Sequence, residues 1–264
     1  MDRASYLASI QVDTDLLIST GAEALDRPVP TCPGWTCERL VGHIGRVHRW
    51  TAGWLTAGSG GEVERAPAGS AVADWARAGL AQLLEALTAA GAAAGDDPEA
   101  LVNTWAGDQP ASFWPRRMAV EAALHRFDAQ AAVGRTTPVA TALAVDGIDE
   151  LFTVLLPLRG TAGLGGGGQT VHLHATDPGI DDVGGGEWLV TLGPEGLDVE
   201  RTHAKGDVAV RATASDLLLL LWNRRSLDDT DDTGPDGGSD GGAARFGVFG
   251  DRAVLDRWRA EITL

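Results

Sequence analysis

The stretch Arg117-Met-Ala-Val-Glu121-Ala-Ala-Leu-His125-Arg-Phe-Asp128 is the most informative part of this chain. It is rich in helix-favouring residues, and neither Gly nor Pro occurs between 116 and 133. Glu121 and His125 are four residues apart, so their side chains leave one face of the predicted helix, one turn apart. A buried charge is costly unless it is paired or bound to a metal. One more ligand from a facing helix would complete a His/Glu/His metal site.

A second amphipathic helix, predicted from Thr36 to Leu55, can supply that ligand. His43 and His48 lie on opposite shoulders of its apolar stripe, about 140° apart around the axis. Only one of these two histidines is therefore expected to bind the metal, and periodicity does not show which one it is. A Glu/His pair at this spacing also occurs as a simple ion pair. Only its combination with a second histidine-bearing helix favours a metal site.

Two longer motifs contain these residues: Val29-Pro-Thr-Cys-Pro-Gly-Trp35-Thr-Cys-Glu-Arg-Leu-Val-Gly-His43, and Phe113-Trp-Pro-Arg-Arg followed by the stretch quoted above. Further motifs near the C-terminus are Glu187-Trp-Leu-Val, Ala212-Thr-Ala-Ser-Asp-Leu-Leu-Leu-Leu-Leu-Trp-Asn-Arg224 and Val248-Phe-Gly-Asp-Arg. Together they resemble the actinobacterial mycothiol-dependent maleylpyruvate isomerase family, which belongs to the DinB-like metal-binding helix bundles. The resemblance extends over nearly the whole chain.

The resemblance implies that His43, Glu121 and His125 bind a divalent metal, usually zinc. Two imidazoles and one carboxylate leave a coordination position open, as in catalytic sites, although the same ligands also suit iron(II). A thiol bound to such an ion is deprotonated, and the thiolate is the nucleophile that conjugate addition requires. The resemblance identifies the thiol as mycothiol. In the isomerase its thiolate adds to the double bond of maleylpyruvate, the resulting single bond rotates, and elimination gives fumarylpyruvate.

Three further residues are candidates for the site. Arg224 matches the family motif and is expected to bind the carboxylates of substrate or cofactor, with Arg225 as its rival; alternatively it is a cation at a helix C-terminus. Asp128 is expected either to orient His125 by a hydrogen bond or to be an exposed helix carboxylate. Trp35 is expected either to line the thiol pocket or to pack at the start of the second helix.

The hydrophobic periodicity predicts an α+β protein of two domains. Residues 1–158 are predicted to form a DinB-like antiparallel four-helix bundle, with a fifth helix from Ala140 to Leu156 packed on it. Residues 168–264 are predicted to form a small α+β domain with an antiparallel sheet. A flexible linker is expected at 160–168, and a disordered or mobile acidic, Gly-rich loop at 228–244. Limited proteolysis is expected to cut this loop first and the linker next.

In the second domain, His172 and His174 alternate along a predicted strand and therefore share one face. That spacing can bind a metal, but a solvent-facing polar strand is the favoured interpretation. His203, in Thr-His-Ala-Lys, is interpreted as a turn residue.

The net charge of −16, from 21 Lys and Arg against 37 Asp and Glu, argues against nucleic acid and anionic membranes as partners. No apolar run long enough to cross a membrane is present, and the first residues lack the pattern of a signal peptide. We therefore expect a cytoplasmic monomer or homodimer whose partners are a small-molecule substrate and a low-molecular-weight thiol.

Three functions are compatible with this sequence: a mycothiol-dependent isomerase, a mycothiol S-transferase acting on an electrophile, and a metal or small-molecule binding protein without activity. Catalysis is predicted to depend on an external thiol. Cys32 and Cys37 are both predicted to lie too far from the metal, because Cys37 is about 9 Å from His43 along the helix axis and Cys32 precedes it.

Overall fold

The computed structural model describes residues 1–160, 166–194, 196–230 and 244–261. It contains two compact units, Met1–Val139 and Ala140–Leu264. The division falls before the fifth predicted helix, whereas the sequence predicted it between 158 and 168. The reason is packing, since that helix lies against a leucine-rich helix of the second unit. Most of the predicted linker and of the 228–244 loop lies outside the described residues.

Four long helices form the first unit: α1 (Arg3–Ala22), α2 (Cys37–Ala57), α3 (Ala71–Ala93) and α4 (Phe113–Ala132). The Asp2 side chain accepts a hydrogen bond from the Ser5 amide at the start of α1, and Thr36 accepts one from the Arg39 amide at the start of α2. Helix α2 packs against α3, and α1 packs against α4. The predicted helical bundle is confirmed.

A short antiparallel hairpin, β1 (Leu101–Thr104) and β2 (Gly107–Pro110), precedes α4. The sequence did not predict it, because its residues include Asn, Asp, Gln and Pro, which are uncommon in strands. Its turn contains Gly107, whose φ of 83° lies in the left-handed region.

Helix α4 is the central element of the first unit, and it is buried on nearly every side. Five polar side chains lie inside with it: Arg117, His125, Arg126, Asp128 and Gln130. Buried charges of this kind must be paired. Arg126 pairs with Asp13 at 2.7 Å and donates to Gln130 and to the carbonyl of Pro138. The remaining three belong to the candidate site.

The second unit begins with α5 (Thr141–Glu150), a π-helical turn (Leu151–Leu155) and α6 (Leu156–Arg159). Its sheet has the order β5-β4-β3-β6-β7, formed by β3 (Gln169–Ala175), β4 (Glu187–Gly193), β5 (Gly196–Glu200), β6 (Val208–Ala212) and β7 (Gly247–Gly250). A short 3₁₀ turn (Ile180–Val183), α7 (Ala214–Leu221) and α8 (Arg252–Glu261) complete the unit.

The sheet is antiparallel except between β3 and β6, which run parallel. The predicted α+β class is confirmed, and the parallel pair is a difference that local patterning does not show. Helix α7 is buried along its whole length, as its run of leucines predicts. In the described part of the chain, no helix is both long enough and apolar enough to cross a membrane.

Candidate metal centre

Helices α2 and α4 bring together two imidazoles and a carboxylate. His43 Nε2 lies 3.4 Å from Glu121 Oε1, and His125 Nε2 lies 3.3 Å from the same oxygen. One ligand atom from each of the three residues lies within 4.8 Å of the other two. His48, the alternative on α2, is fully buried, and neither of its ring nitrogens has a hydrogen-bond partner among the described residues. The helix therefore places His43, and not His48, beside the Glu121 carboxylate.

Glu121 has three nitrogen-bearing partners, His43, His125 and Arg117. Arg117, one turn earlier on α4, places Nη2 3.1 Å from Glu121 Oε2. Burial alone raises the pKa of Glu121, but hydrogen bonds from His125 and His43, with the charges of His125 and Arg117, hold it well below its usual range. The carboxylate is therefore ionised at neutral pH, which is the form that binds a metal.

His125 is oriented by Asp128 on the next turn of α4. Its Nδ1 lies 2.8 Å from Asp128 Oδ2, so Nε2 is the nitrogen directed at Glu121. Burial alone lowers the pKa of His125, but hydrogen bonds to Asp128, Cys32 and Glu121 raise it well above its ordinary value. A metal at Nε2 would compete with a proton, so its affinity is expected to fall as the pH falls.

Asp128 itself is fully buried. Thr31 donates to its Oδ1 at 2.5 Å, and the Cys32 thiol donates to its Oδ2 at 3.4 Å. Of the two interpretations of Asp128, the exposed helix carboxylate is therefore wrong. The geometry is that of a carboxylate that holds a neighbouring histidine in place.

Cys32 lies closer to the site than the sequence predicted. It belongs to the loop before α2, and this loop folds back onto α4, so distance along the α2 axis does not describe its position. Cys32, His125 and Asp128 even form a second group whose ligand atoms lie within 4.8 Å of one another. Cys37 is buried in the core of the bundle, and burial raises the pKa of its thiol. The prediction that neither cysteine approaches the site is wrong for Cys32.

The Trp35 ring lies beside both histidines. Its ring centroid is 4.9 Å from that of His43 and 6.3 Å from that of His125, and the Arg39 guanidinium lies 4.7 Å from it on the ring face. The loop that carries Trp35 is closed by a hydrogen bond from the Val29 amide to the Trp35 carbonyl. Trp35 also packs against the core of the bundle, so both interpretations of this residue stay predictions.

A groove of about 580 Å³ opens beside His43. It is lined by residues of α2 and of the loop that follows it: His43, Arg46, Val47, Trp50, Gly61, Glu62 and Val63. A small molecule can therefore approach the imidazole of His43 from solvent.

Arg224 lies in the second unit, just beyond the end of α7. Its Nη1 donates to the Trp222 carbonyl at 2.9 Å, and Asn223 beside it has a left-handed φ of 58°. Arg225 lies 3.8 Å from Asp216 and 3.6 Å from Asp229. The position of Arg224 agrees with its interpretation as a helix C-terminal cation, and its role toward a substrate is considered below.

Two features of the site were missed by sequence reasoning. Arg117 precedes Glu121 by four residues, and this i,i+4 spacing was a usable signal. Thr31 is separated from Asp128 by 97 residues. No local pattern indicates a contact over that distance, so only the fold reveals it.

Known proteins resemble this chain in sequence family and in fold. Residues 10–130 match the mycothiol maleylpyruvate isomerase N-terminal domain, and residues 142–257 match the C-terminal domain of the same family, MDMPI. A crystal structure of the mycothiol-dependent maleylpyruvate isomerase superimposes with a TM-score of 0.53 at 15% identity, covering 89% of this chain and 94% of that chain. A histidine-to-alanine mutant of the mycothiol-dependent maleylpyruvate isomerase gives 0.54 with the same identity and coverage.

At this identity the structural likeness concerns the fold. No curated protein sequence is significantly similar to the chain. The two domain matches follow one another in order and together span most of the sequence, which confirms the resemblance first seen in its motifs. The chain belongs to the mycothiol maleylpyruvate isomerase family.

Proposed function

We propose that this chain is a mycothiol-dependent enzyme that acts, with a divalent metal, on an electrophilic unsaturated small molecule, as a maleylpyruvate isomerase does. The observation that carries the proposal is the convergence of His43, Glu121 and His125 on one point. Their donor set fits the metal, since two imidazoles and an ionised carboxylate are typical ligands of a catalytic zinc site. Zinc is the first candidate and iron(II) the second.

A metal held by these residues would keep a bound thiol as its thiolate near neutral pH. The protein's own groups do the positioning. Asp128 orients the ring of His125, Arg117 donates a hydrogen bond to Glu121, and the ring of Trp35 lies beside the two imidazoles. The groove beside His43 admits the thiol and its electrophile. The thiol is external, because Cys32 donates to Asp128 and Cys37 is buried in the core.

A substrate that carries carboxylates needs a fixed cation. Arg224 is the candidate that matches the family motif, and Arg46 is a second candidate because it lines the groove beside His43. Replacing each arginine in turn with Gln distinguishes the two candidates. Replacement of the arginine that binds substrate should raise KM several-fold, with little change in metal content. If both variants keep the KM of the wild type, neither residue binds the substrate.

An S-transferase is the main alternative, since the same site could attack an electrophile and leave the thiol attached. A metal or small-molecule binding protein without turnover is the other. Mass spectrometry of the products separates these functions. An isomerase returns free mycothiol and a product of the substrate's mass, whereas a transferase yields the adduct and a binding protein yields neither.

Metal analysis of purified variants tests the ligand set. His125→Ala should lose the metal of this site and the activity with maleylpyruvate and mycothiol, whereas His48→Ala should keep the metal. Cys32→Ser should also keep it, because a hydroxyl can still donate to Asp128. Loss of the metal in Cys32→Ser or His48→Ala, with retention in His43→Ala, would show that the ligand set is wrong. Turnover by wild type freed of all thiols would exclude thiol dependence.

A further inference from the structure

A second cluster of histidines lies on the sheet of the second unit. His172 and His174 occupy alternate positions of β3, and Glu187 on β4 is paired directly with His174. The three side chains therefore share one face of the sheet, while Leu173 and Trp188 are buried on the other. The sequence favoured a solvent-facing polar strand here, and that expectation is wrong for His172, which is only 6% exposed.

All three histidines of this unit converge on the one carboxylate. Glu187 Oε2 lies 2.5 Å from His172 Nε2, and Glu187 Oε1 lies 2.5 Å from His174 Nδ1. His203, from the segment after β5, places Nδ1 2.9 Å from Glu187 Oε1. The three rings lie 5.2 to 6.2 Å apart, centroid to centroid. These are half of the six histidines in the chain.

The position of His203 is fixed by its neighbour Arg201. The guanidinium of Arg201 pairs with Asp149 at 2.8 Å, donates to the Gly185 carbonyl at 2.9 Å and lies 4.4 Å from the ring centroid of Trp188. These contacts anchor the segment to β4 and α5. His203 is therefore held near the sheet although its own side chain is 76% exposed.

The charge state of the cluster suits a cation. Burial raises the pKa of Glu187, but hydrogen bonds from His203, His174 and His172 lower it below its ordinary value, so the carboxylate is ionised. An ionised carboxylate beside imidazole nitrogens is a donor set that binds divalent transition metals.

We propose that His172, His203 and Glu187 bind a zinc ion, because one ligand atom from each lies within 4.8 Å of the other two. Two nitrogen donors and one carboxylate oxygen favour a transition metal over calcium or magnesium, which prefer oxygen ligands. In a tetrahedral zinc site, bonds of about 2.0–2.1 Å place the donor atoms about 3.3 Å apart. The present separations of 2.5–2.9 Å between Glu187 and the imidazoles differ from this by less than about 1 Å.

His174, whose Nδ1 lies 2.5 Å from Glu187 Oε1, would orient that carboxylate toward the ion. The zinc would join the His203 segment to β3 and β4. The competing possibility is a network of hydrogen bonds between histidines and a carboxylate that holds no metal. The residues of this site differ from those of the proposed catalytic centre. The zinc proposal and the proposed function can therefore fail independently.

The test uses the full chain carrying His125→Ala, which disables the first metal centre. Zinc affinity is measured by competition with a chromophoric chelator, and folding is checked by circular dichroism. We expect one zinc per chain to remain. Adding His203→Ala should weaken its binding by more than about tenfold, because loss of a ligand costs more than loss of its outer partner. Lys205→Ala, in the same exposed segment, is the matched control and should change nothing.

Thermal unfolding gives a second readout. Zinc should raise the Tm of the His125→Ala protein, because it binds the folded state, and it should no longer do so when His172→Ala and His203→Ala are added. Absence of zinc binding in the His125→Ala protein, or equal affinities of the His203→Ala and Lys205→Ala variants, would overturn the proposal and leave the cluster as a hydrogen-bond network.

Discussion

Asp128 shows how one buried side chain can control a site that it does not enter. It accepts hydrogen bonds from Thr31 and Cys32 and orients His125. Asp128→Asn keeps the size of the side chain but removes its charge. The amide NH₂ is a hydrogen-bond donor, and it would face side chains that now donate to Asp128. We expect metal affinity to fall about 10- to 100-fold with the fold intact, measured by zinc competition. Asp108→Asn on the exposed hairpin is the control, and equal affinities of the two variants would exclude the orienting role.

His48 carries a different prediction, which concerns stability. Burial lowers its pKa from 6.5 to about 3, against the attraction of Glu121. Between these values the unfolded chain binds a proton that the folded chain does not, so the contribution of His48 to stability is present above pH 6.5 and is lost as the pH falls toward 3. Between pH 6.5 and 5 the loss is about 2 kcal/mol.

His48→Met removes this titration and leaves no unpaired ring nitrogen in the core. The free energy of unfolding, from urea titrations at pH 5 and pH 6.5, should therefore depend less on pH in the variant than in the wild type. The comparison isolates His48, because other titrating groups contribute to both proteins. An identical pH dependence in both would show that the ring is hydrated or paired in solution.

At the scale of elements, the sequence predicted what depends on local periodicity. The helices that carry His43 and the Glu121/His125 pair were predicted because their apolar stripes and capping residues are local. The choice of His43 over His48 was not available from the helix alone, since both lie at the edge of its stripe. The hairpin at 101–110 was not predicted because its residues are uncommon in strands. The parallel pairing of β3 with β6 was not predicted because it joins segments that are distant in the sequence.

The crossing of α2 and α3 depends on two glycines that let the backbones approach closely. A Cβ atom added at Gly45 would lie 2.8 Å from the Cα of Ala76 and 2.7 Å from the ring of Trp75, and one at Gly79 would lie 2.8 Å from the Gly45 carbonyl oxygen. Gly45→Ala should therefore destabilise the protein by about 1–3 kcal/mol, although alanine favours a helix.

Gly53 is the matched control, because it lies on the same helix and its added Cβ would meet the nearest atoms at 3.1 Å. Gly53→Ala is expected to change stability by less than Gly45→Ala. Both values come from the midpoint and slope of denaturant unfolding. A Gly45→Ala protein as stable as the Gly53→Ala protein would mean that the helices separate at little cost.

At the scale of the whole molecule, each proposed metal site is built within one unit. His43, Glu121 and His125, with Thr31, Cys32, Arg117 and Asp128 around them, all lie in Met1–Val139. His172, His174, His203 and Glu187 all lie in Ala140–Leu264. Local sequence could indicate the first group through its one-turn spacing. For the second group it indicated only the His172/His174 pair, because Glu187 and His203 are brought to these histidines by strand pairing and by a loop.

This division predicts that the two units separate with their sites intact. A fragment of residues 1–139 should fold, as judged by helical circular dichroism, and should bind one zinc that is lost on His125→Ala. A fragment of residues 140–264 should bind one zinc that is lost on His203→Ala and unaffected by Lys205→Ala. A folded first fragment without zinc affinity, beside a full chain that retains zinc through His125, would show that the metal centre requires residues beyond 139.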